Sequence, residues 1–255
     1  MSGLNDALKK IRIVEVLIVI IALTCVLFLF KLFNFELSDD LIYLGVIIYF
    51  AYRLRFYGED FKEDIKGIFS KISPKSLATI VLVNVFFSYG MIYLSIYALK
   101  IVPGLDSFIG ISSLSMSLSQ ISGFLPILST VIISPISEEL LFRGVFLNRL
   151  NLVVPTTFAI LVTSIIFGLL HDYSNIISAV VFGICMCIIY IKTQNIFVCI
   201  LAHFINNLLA EIIFFLDSEN LIFTNDVFII LISILAVVSF YLIIKSIHAE
   251  WKHIK

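Results

Sequence analysis

Long apolar segments constrain this chain more than any other feature of its sequence. Eight of them follow one another along 255 residues, at about 13–33, 40–56, 77–99, 124–147, 154–172, 175–191, 196–216 and 226–245. A run of about 20 apolar residues is long enough to cross the hydrocarbon core of a bilayer as a helix. Lipid offers no partner for backbone polar groups, so helices and closed barrels are the structures that span it. The sequence therefore predicts an all-α, polytopic membrane bundle of about eight transmembrane helices.

Composition supports the same conclusion. Hydrophobic residues make up 61% of the chain and charged residues only 14%, whereas an average soluble domain has roughly half and a quarter. A soluble fold would lack the polar surface needed to cover such a core. The formal net charge is −1 and the chain has no basic tract, so nucleic acid is not an expected partner. Because no linker or repeat is evident, residues 1–255 are predicted to form one integral membrane domain, with the lipid bilayer as its surroundings.

Basic residues predict how the spans are oriented. With a cytoplasmic amino terminus and eight alternating spans, only Lys31 and Lys100, out of 17 Lys and Arg residues, fall outside. Cytoplasmic loops carry an excess of Lys and Arg. We therefore predict a multi-pass protein of the cell membrane with both termini in the cytoplasm. The hydrophilic segment from Arg53 to Lys75 is predicted to be a surface or interfacial helix.

Ionisable side chains inside the predicted spans cost about 2.5–3.5 kcal/mol each on insertion scales, which makes them candidates for function. The first cluster is the segment 137–143, Ser-Glu-Glu-Leu-Leu-Phe-Arg. On a helix, Glu139 and Arg143 share a face and can pair, whereas Glu138 is turned away by about 100°. Glu138 is thus a candidate general base or acid. The alternative interpretation is that the cluster forms an ion pair between helices and leaves one glutamate unpaired. Upstream, Ser134-Pro135 predicts a helix start or a kink, with Ser134 as the cap.

Two further clusters contain the histidines of interest. Phe167 precedes His171 by four residues near the end of the fifth span, and His203 precedes Asn207 by four within the seventh. A histidine at a span end could be an interfacial hydrogen-bonding residue, and His and Asn also hold membrane helices together. Asn206 is predicted to face away from the His203–Asn207 pair. Glu211 is predicted to lie near the outer interface, and neither is assigned to the site.

Taken together, the three clusters supply a carboxyl base, two imidazoles and an amide that could donate to an oxyanion. In this order they resemble the CPBP family of intramembrane proteases, also called the CAAX protease and bacteriocin-processing or Abi family. Its signature is E-E-x-x-x-R, then F-x-x-x-H, then H-x-x-x-N, on a bundle of about eight helices. All three motifs are complete here, and they lie within residues 134–211.

The resemblance implies hydrolysis of a peptide bond near the membrane surface, in a membrane-associated peptide substrate. It implies that Glu138 activates water and that His171 assists or orients it. His203 and Asn207 would stabilise the oxyanion. The supporting residues Glu139, Arg143 and Phe167 complete the motifs, and Glu139 and Arg143 would shape the site.

Metal dependence is left open by the sequence. Glu138, His171 and His203 could supply an oxygen and two nitrogens to zinc or another divalent metal, with water as the fourth ligand. No H-E-x-x-H pair is present. We expect a glutamate-activated water with no obligatory cofactor. The glutamic and the metallo-endopeptidase mechanism nevertheless both stay open as the class of protease.

Two other functions remain open. The chain could be a non-catalytic family member that acts as a bacteriocin immunity factor or membrane scaffold, or a transporter with a proton relay through Glu138. The predicted spans also contain a conflict in depth. At 1.5 Å per residue from the cytoplasmic ends, His203 is shallow and His171 lies nearly across the bilayer. Either the fifth helix is strongly tilted or begins outside the hydrocarbon, or its predicted limits are wrong. The oligomeric state is not predicted.

Overall fold

A computed structural model describes residues 3–35, 38, 40–101, 124–217 and 221–254, and all regular structure in this part of the chain is helical. The helices, in chain order, are α1 (Gly3–Lys10), α2 (Ile13–Leu32), α3 (Asp40–Arg53), α4 (Gly58–Lys66), α5 (Ile68–Lys71), α6 (Pro74–Ile101), α7 (124–150), α8 (Thr156–Leu169), α9 (Ile176–Thr193), α10 (Ile196–Leu216), α11 (Leu221–Thr224) and α12 (Asp226–Ile254).

Each predicted span corresponds to one of these helices, which confirms the all-α membrane bundle. Six helices of the described chain are long and apolar enough to cross a membrane, namely α2, α6, α7, α9, α10 and α12. Helices α3 and α8 have only 14 residues each. They span about 21 Å, which is less than the roughly 30 Å of hydrocarbon. The count of eight crossings is therefore approximate, although the eight helices are present.

Helix α7 lies at the centre of the bundle, where α1, α3, α8, α9 and α10 pack against it. Many fully buried side chains lie on α7, α9 and α10, for example Val145, Met186 and Val198. Helices α2 and α12 instead expose large apolar residues, such as Ile18 and Val237. An apolar outer face is what contact with lipid requires.

Helix α7 corrects one prediction from the sequence. It runs without a break from Phe124 to Leu150, so no helix begins at Ser134 and Ser134 is not an N-cap. Two π-helical segments, Ser129–Ile133 and Leu140–Leu147, flank the six α-helical residues that carry both glutamates. Pro135 needs no hydrogen bond from its nitrogen, and the wider π turn leaves room for its ring.

The segment from Arg53 to Lys75 contains α4 and α5, and neither helix has a buried residue. This confirms the predicted surface helix. Phe61 of α4 contacts Phe197 at the start of α10, with 4.5 Å between ring centroids. The side-chain amide of Asn195 donates to the backbone oxygen of Asp64 at 2.7 Å. These contacts join the surface segment to the end of α10.

Two glycines allow α8 and α9 to approach closely. A Cβ atom on Gly183 would lie 3.0 Å from the Cβ of Ser164, and one on Gly168 would lie 2.9 Å from the backbone oxygen of Ile176. Small residues at helix crossings let membrane helices pack backbone against backbone. The close contact brings the end of α8, and with it His171, against the rest of the bundle.

We expect Gly168→Ala to lower the free energy of unfolding by about 1–3 kcal/mol, because the added methyl group meets backbone atoms that cannot move aside. Thermal unfolding of the purified protein in detergent checks this. Gly58→Ala is the matched control, since a Cβ at Gly58 meets nothing within 4 Å. Equal stability of both variants would show that α8 and α9 do not pack as described.

Candidate active site

The predicted pair between Glu139 and Arg143 is present and fully buried. Nη1 of Arg143 donates to Oε1 of Glu139 at 2.9 Å, and neither side chain has any exposed area. Nη2 of Arg143 donates to the backbone oxygen of Gly183 at 3.3 Å. The guanidinium group also lies 4.6 Å from the ring centroid of Phe167, a distance typical of a cation–π contact. Arg143 thus connects α7 to both α8 and α9.

His203 of α10 is held by the same glutamate. Its Nδ1 lies 2.8 Å from Oε1 of Glu139. A carboxylate paired with arginine can only accept hydrogen bonds, which assigns the proton to Nδ1. The other ring nitrogen, Nε2, then points towards Glu138 and lies 3.9 Å from its Oε2. Glu139 therefore sets both the tautomer and the orientation of His203.

Glu138 and Glu139 each have one oxygen with a described hydrogen-bond partner and one buried oxygen without one. The hydroxyl group of Ser134, one turn earlier, donates to Oε1 of Glu138. Oε2 of Glu138 is buried and has no hydrogen-bond partner among the residues that the structure describes. The 3.9 Å between this oxygen and Nε2 of His203 is too long for a direct hydrogen bond. A water molecule can bridge polar atoms at such a separation.

The Phe167 ring lies close to both imidazoles. Its centroid lies 4.6 Å from that of His171 and 6.1 Å from that of His203. Nδ1 of His171 lies 2.8 Å from the backbone oxygen of Phe167, so this nitrogen is the donor and Nε2 is left free. Helix α8 ends at Leu169, two residues before His171. The predicted fifth span, 154–172, was longer than α8 at both ends.

Asn207 completes the set from one turn beyond His203. Its amide Nδ2 donates to the backbone oxygen of Thr130 at 2.9 Å, and its Oδ1 accepts from Nδ2 of Asn206 at 3.3 Å. An amide nitrogen carries two hydrogens. One N–H group of Asn207 therefore remains available to a ligand.

One cavity of about 900 Å³ joins the four predicted catalytic residues, Glu138, His171, His203 and Asn207. Ser134 and Phe167 also line this cavity, whereas Glu139 and Arg143 lie behind its wall. The arrangement contains a carboxyl oxygen, imidazole nitrogens and an amide donor around a polar space. These are the groups that hydrolysis of a carbonyl compound by activated water requires.

Comparisons with known proteins agree with this arrangement. A family model described as type II CAAX prenyl endopeptidase Rce1-like matches residues 120–209, which include all three motifs. A protein of Bacillus subtilis (strain 168) named "Putative membrane peptidase YdiL" is 33% identical over 84 residues, which are 32% of this chain. These matches support assignment to the CPBP family of CAAX proteases. The aligned part covers 34% of the length of that curated relative, and no solved structure matches the chain significantly.

The three motifs were found from the sequence, but other polar residues of the cavity were not assigned to the site. Asn206 and Glu211 both line the cavity, so the prediction that Asn206 faces away is wrong. Adjacent residues are only about 100° apart on a helix, and a broad cavity accommodates both Asn206 and Asn207. Glu211 follows His203 and Asn207 at the same spacing of four, a pattern that could have indicated its position.

Whether this site can hold a metal is a separate question. Metal binding by Glu138, His171 and His203 would require the three side chains to converge on one point. Within the described residues, no group of three His, Cys, Asp or Glu side chains is placed to hold a metal ion. The three side chains, as arranged here, do not fit a metal, and no step below depends on one.

Proposed function

We propose that this protein is an intramembrane endopeptidase that hydrolyses a peptide bond of a membrane-associated peptide or protein. The observation that carries the proposal is the gap between Glu138 and His203. Oε2 of Glu138 has no described protein partner and lies 3.9 Å from Nε2 of His203, inside a cavity that His171 and Asn207 also line. The match to a CAAX prenyl endopeptidase family model supports the same class of reaction.

In the first step, a water molecule in this gap donates one proton to Oε2 of Glu138, and the resulting hydroxide attacks the carbonyl carbon of the substrate. His171, with Nδ1 held by Phe167, can accept the second hydrogen of that water at Nε2 and so orient it. The carbonyl oxygen takes up the negative charge as the carbon becomes tetrahedral. General-base assistance of this kind contributes about 10²–10⁴-fold.

In the second step, the free N–H of Asn207 donates to the oxyanion. A neutral His203 cannot donate there, because Glu139 already fixes its proton at Nδ1; it donates only once Nε2 has taken a second proton from solvent, which makes the ring an imidazolium. Glu139 stabilises that imidazolium as it stabilises Arg143. The carbon–nitrogen bond then breaks, the proton on Glu138 passes to the leaving amine, and the products are a carboxylic acid and an amine.

Ser134 is expected to act as a positioning residue for Glu138, because its hydroxyl fixes Oε1 and so directs Oε2 into the cavity. Ser134→Ala should lower kcat/KM by about tenfold, in line with the loss of one hydrogen bond to a charged group. Peptide cleavage by the purified variant checks this value.

Ser134→Thr is the matched control, since it keeps the hydroxyl at the same position and should retain activity close to wild type. A purely structural role would instead lower the thermal stability of Ser134→Ala together with its activity. Equal cleavage by the Ala and Thr variants at equal stability would exclude the positioning role.

The proposal itself is tested by offering the purified protein in lipid vesicles a library of short hydrophobic peptides and identifying both product fragments by mass spectrometry. We expect cleavage with a new carboxyl terminus and a new amino terminus, and no loss of cleavage with a chelator. Loss of cleavage in the presence of a chelator would show that the reaction requires a metal. The library contains membrane-anchored as well as free peptides. If none of them is cleaved, the result favours a non-catalytic scaffold or immunity function.

A further inference from the structure

The cavity beside Glu138 is lined by negative charge on several sides. Its carboxyl groups come from four different segments, namely Asp40 at the start of α3, Glu138 on α7, Asp172 after α8, and Glu211 on α10. No Lys or Arg is among the described residues that line it, and His171 and His203 are the basic groups in that lining. Residues 102–123, outside the described part, contain one Asp and neither Lys nor Arg. A cavity of this charge attracts cations and repels anions.

Glu211 occupies a defined place relative to the catalytic residues. His203, Asn207 and Glu211 follow one another at intervals of four on α10, and all three line the cavity. Eight residues of α-helix place Glu211 about 12 Å along the axis from His203. Glu211 is half-buried, and no described side chain forms a hydrogen bond or ion pair with its carboxyl group. Its charge is therefore available to a ligand in the cavity.

An independent observation comes from Asn84 on α6. Its side chain is only 4% exposed and lines the same cavity. Nδ2 donates to the backbone oxygen of Ile80 at 2.8 Å, which fixes the orientation of the amide, and Oδ1 has no partner within the described chain. The cavity thus presents a buried amide acceptor in addition to its carboxylates. Lys and Arg side chains carry several donors and no acceptor, so they match this lining.

We propose that the cavity selects a cationic peptide segment and that Glu211 binds a Lys or Arg side chain of the substrate. An extended peptide advances about 3.3 Å per residue, so 12 Å corresponds to three or four residues from the cleaved bond. This inference rests on the proposed peptidase function for the position of the cleaved bond, but the preference for positive charge does not depend on cleavage.

Binding and cleavage are measured with one series of peptides that differ only in carrying Lys, Gln or Glu at a single position. Fluorescence anisotropy gives binding to Glu138→Gln protein, in which the proposed base is absent, and product analysis gives kcat/KM for wild type. We expect the Lys peptide to bind about tenfold tighter than the Glu peptide. The preference should be largest three or four residues from the cleaved bond.

Variants of Glu211 test whether this residue causes the preference for the Lys peptide. Glu211→Gln should reduce the ratio between Lys and Glu peptides towards one, and Glu211→Lys should invert it. Glu59→Gln is the matched control, because Glu59 is an exposed residue of α4 paired with Lys62 and does not line the cavity. The ratio between Lys and Glu peptides measured with Glu59→Gln should equal the wild-type ratio. If Glu211→Lys does not fold, Glu211→Gln alone decides the assignment.

The outcomes separate this inference from the proposed function. A Lys preference in binding without cleavage by wild type would overturn the peptidase while leaving the cationic site in place. Cleavage with equal kcat/KM for all three peptides would support the peptidase and overturn the cationic site. A Lys preference that persists in Glu211→Gln would exclude Glu211 as the partner.

Discussion

Glu138→Gln is expected to lower kcat/KM for peptide cleavage by about 10²–10⁴-fold, the range that a general base contributes, with little change in stability. The substituted amide keeps an oxygen that can accept the hydrogen bond from Ser134. It cannot take a proton from water. Fold and cavity should therefore be retained while the first chemical step is lost. The measurement is kcat/KM of wild type and variant in the same lipid, together with thermal unfolding of both.

Glu59→Gln makes the same chemical change on the surface helix α4, where Glu59 pairs only with exposed Lys62. It should leave both activity and stability as in wild type. Cleavage by Glu138→Gln within about threefold of wild type would assign the base to another group. A large loss of stability in Glu138→Gln would instead show that Glu138 has a structural role, because the amide keeps the size of the side chain and an oxygen for the hydrogen bond from Ser134.

Interactions along one helix could be predicted from the sequence. The pairing of Glu139 with Arg143 followed from their separation of four residues, and it is present at 2.9 Å. The hydrogen bond from Ser134 to Glu138 has the same separation, but the expected helix start at Ser134 concealed it. Helix periodicity predicts neighbours only where the helix is known to continue.

Interactions between helices could not be predicted in this way. His203 contacts Glu139 across 64 residues of chain, and nothing in the spacing of either motif indicates that contact. It changes the chemistry, because a neutral His203 with its proton on Nδ1 cannot donate from Nε2. The ion pair of Arg143 with Glu139 lies within α7, and Arg143 reaches α9 through a hydrogen bond to the backbone oxygen of Gly183.

The ends of the short helix α8 also could not be predicted from the sequence. The predicted fifth span covered residues 154–172, but α8 begins only after Pro155 and ends at Leu169. Pro155 directly precedes the first helical residue, and Gly168 packs the last turn of α8 against α9. Hydropathy predicts that a helix is present, whereas neighbouring residues and contacts with other helices determine where it begins and ends.

Arg143→Met is expected to lower the free energy of unfolding by about 3–5 kcal/mol, because it leaves Glu139 buried without its main partner. Both side chains are completely buried, so water cannot replace the lost interaction. Thermal or denaturant unfolding in detergent, with the protein level in membranes as a second measure, checks the value. Stability within about 1 kcal/mol of wild type would mean that Glu139 is not an unpaired charge in the variant.

The double variant Glu139→Gln with Arg143→Met distinguishes a stranded charge from lost packing. If the charge on Glu139 causes the instability, neutralising it should recover part of the stability that Arg143→Met alone loses. If the lost contacts with Gly183 and the Phe167 ring dominate, the double variant should be no more stable than Arg143→Met. A cycle of the two single variants and the double variant isolates the coupling between the side chains. Because His203 also bonds Glu139, we expect Glu139→Gln alone to impair cleavage as well, since the remaining amide holds the imidazolium less well than a carboxylate.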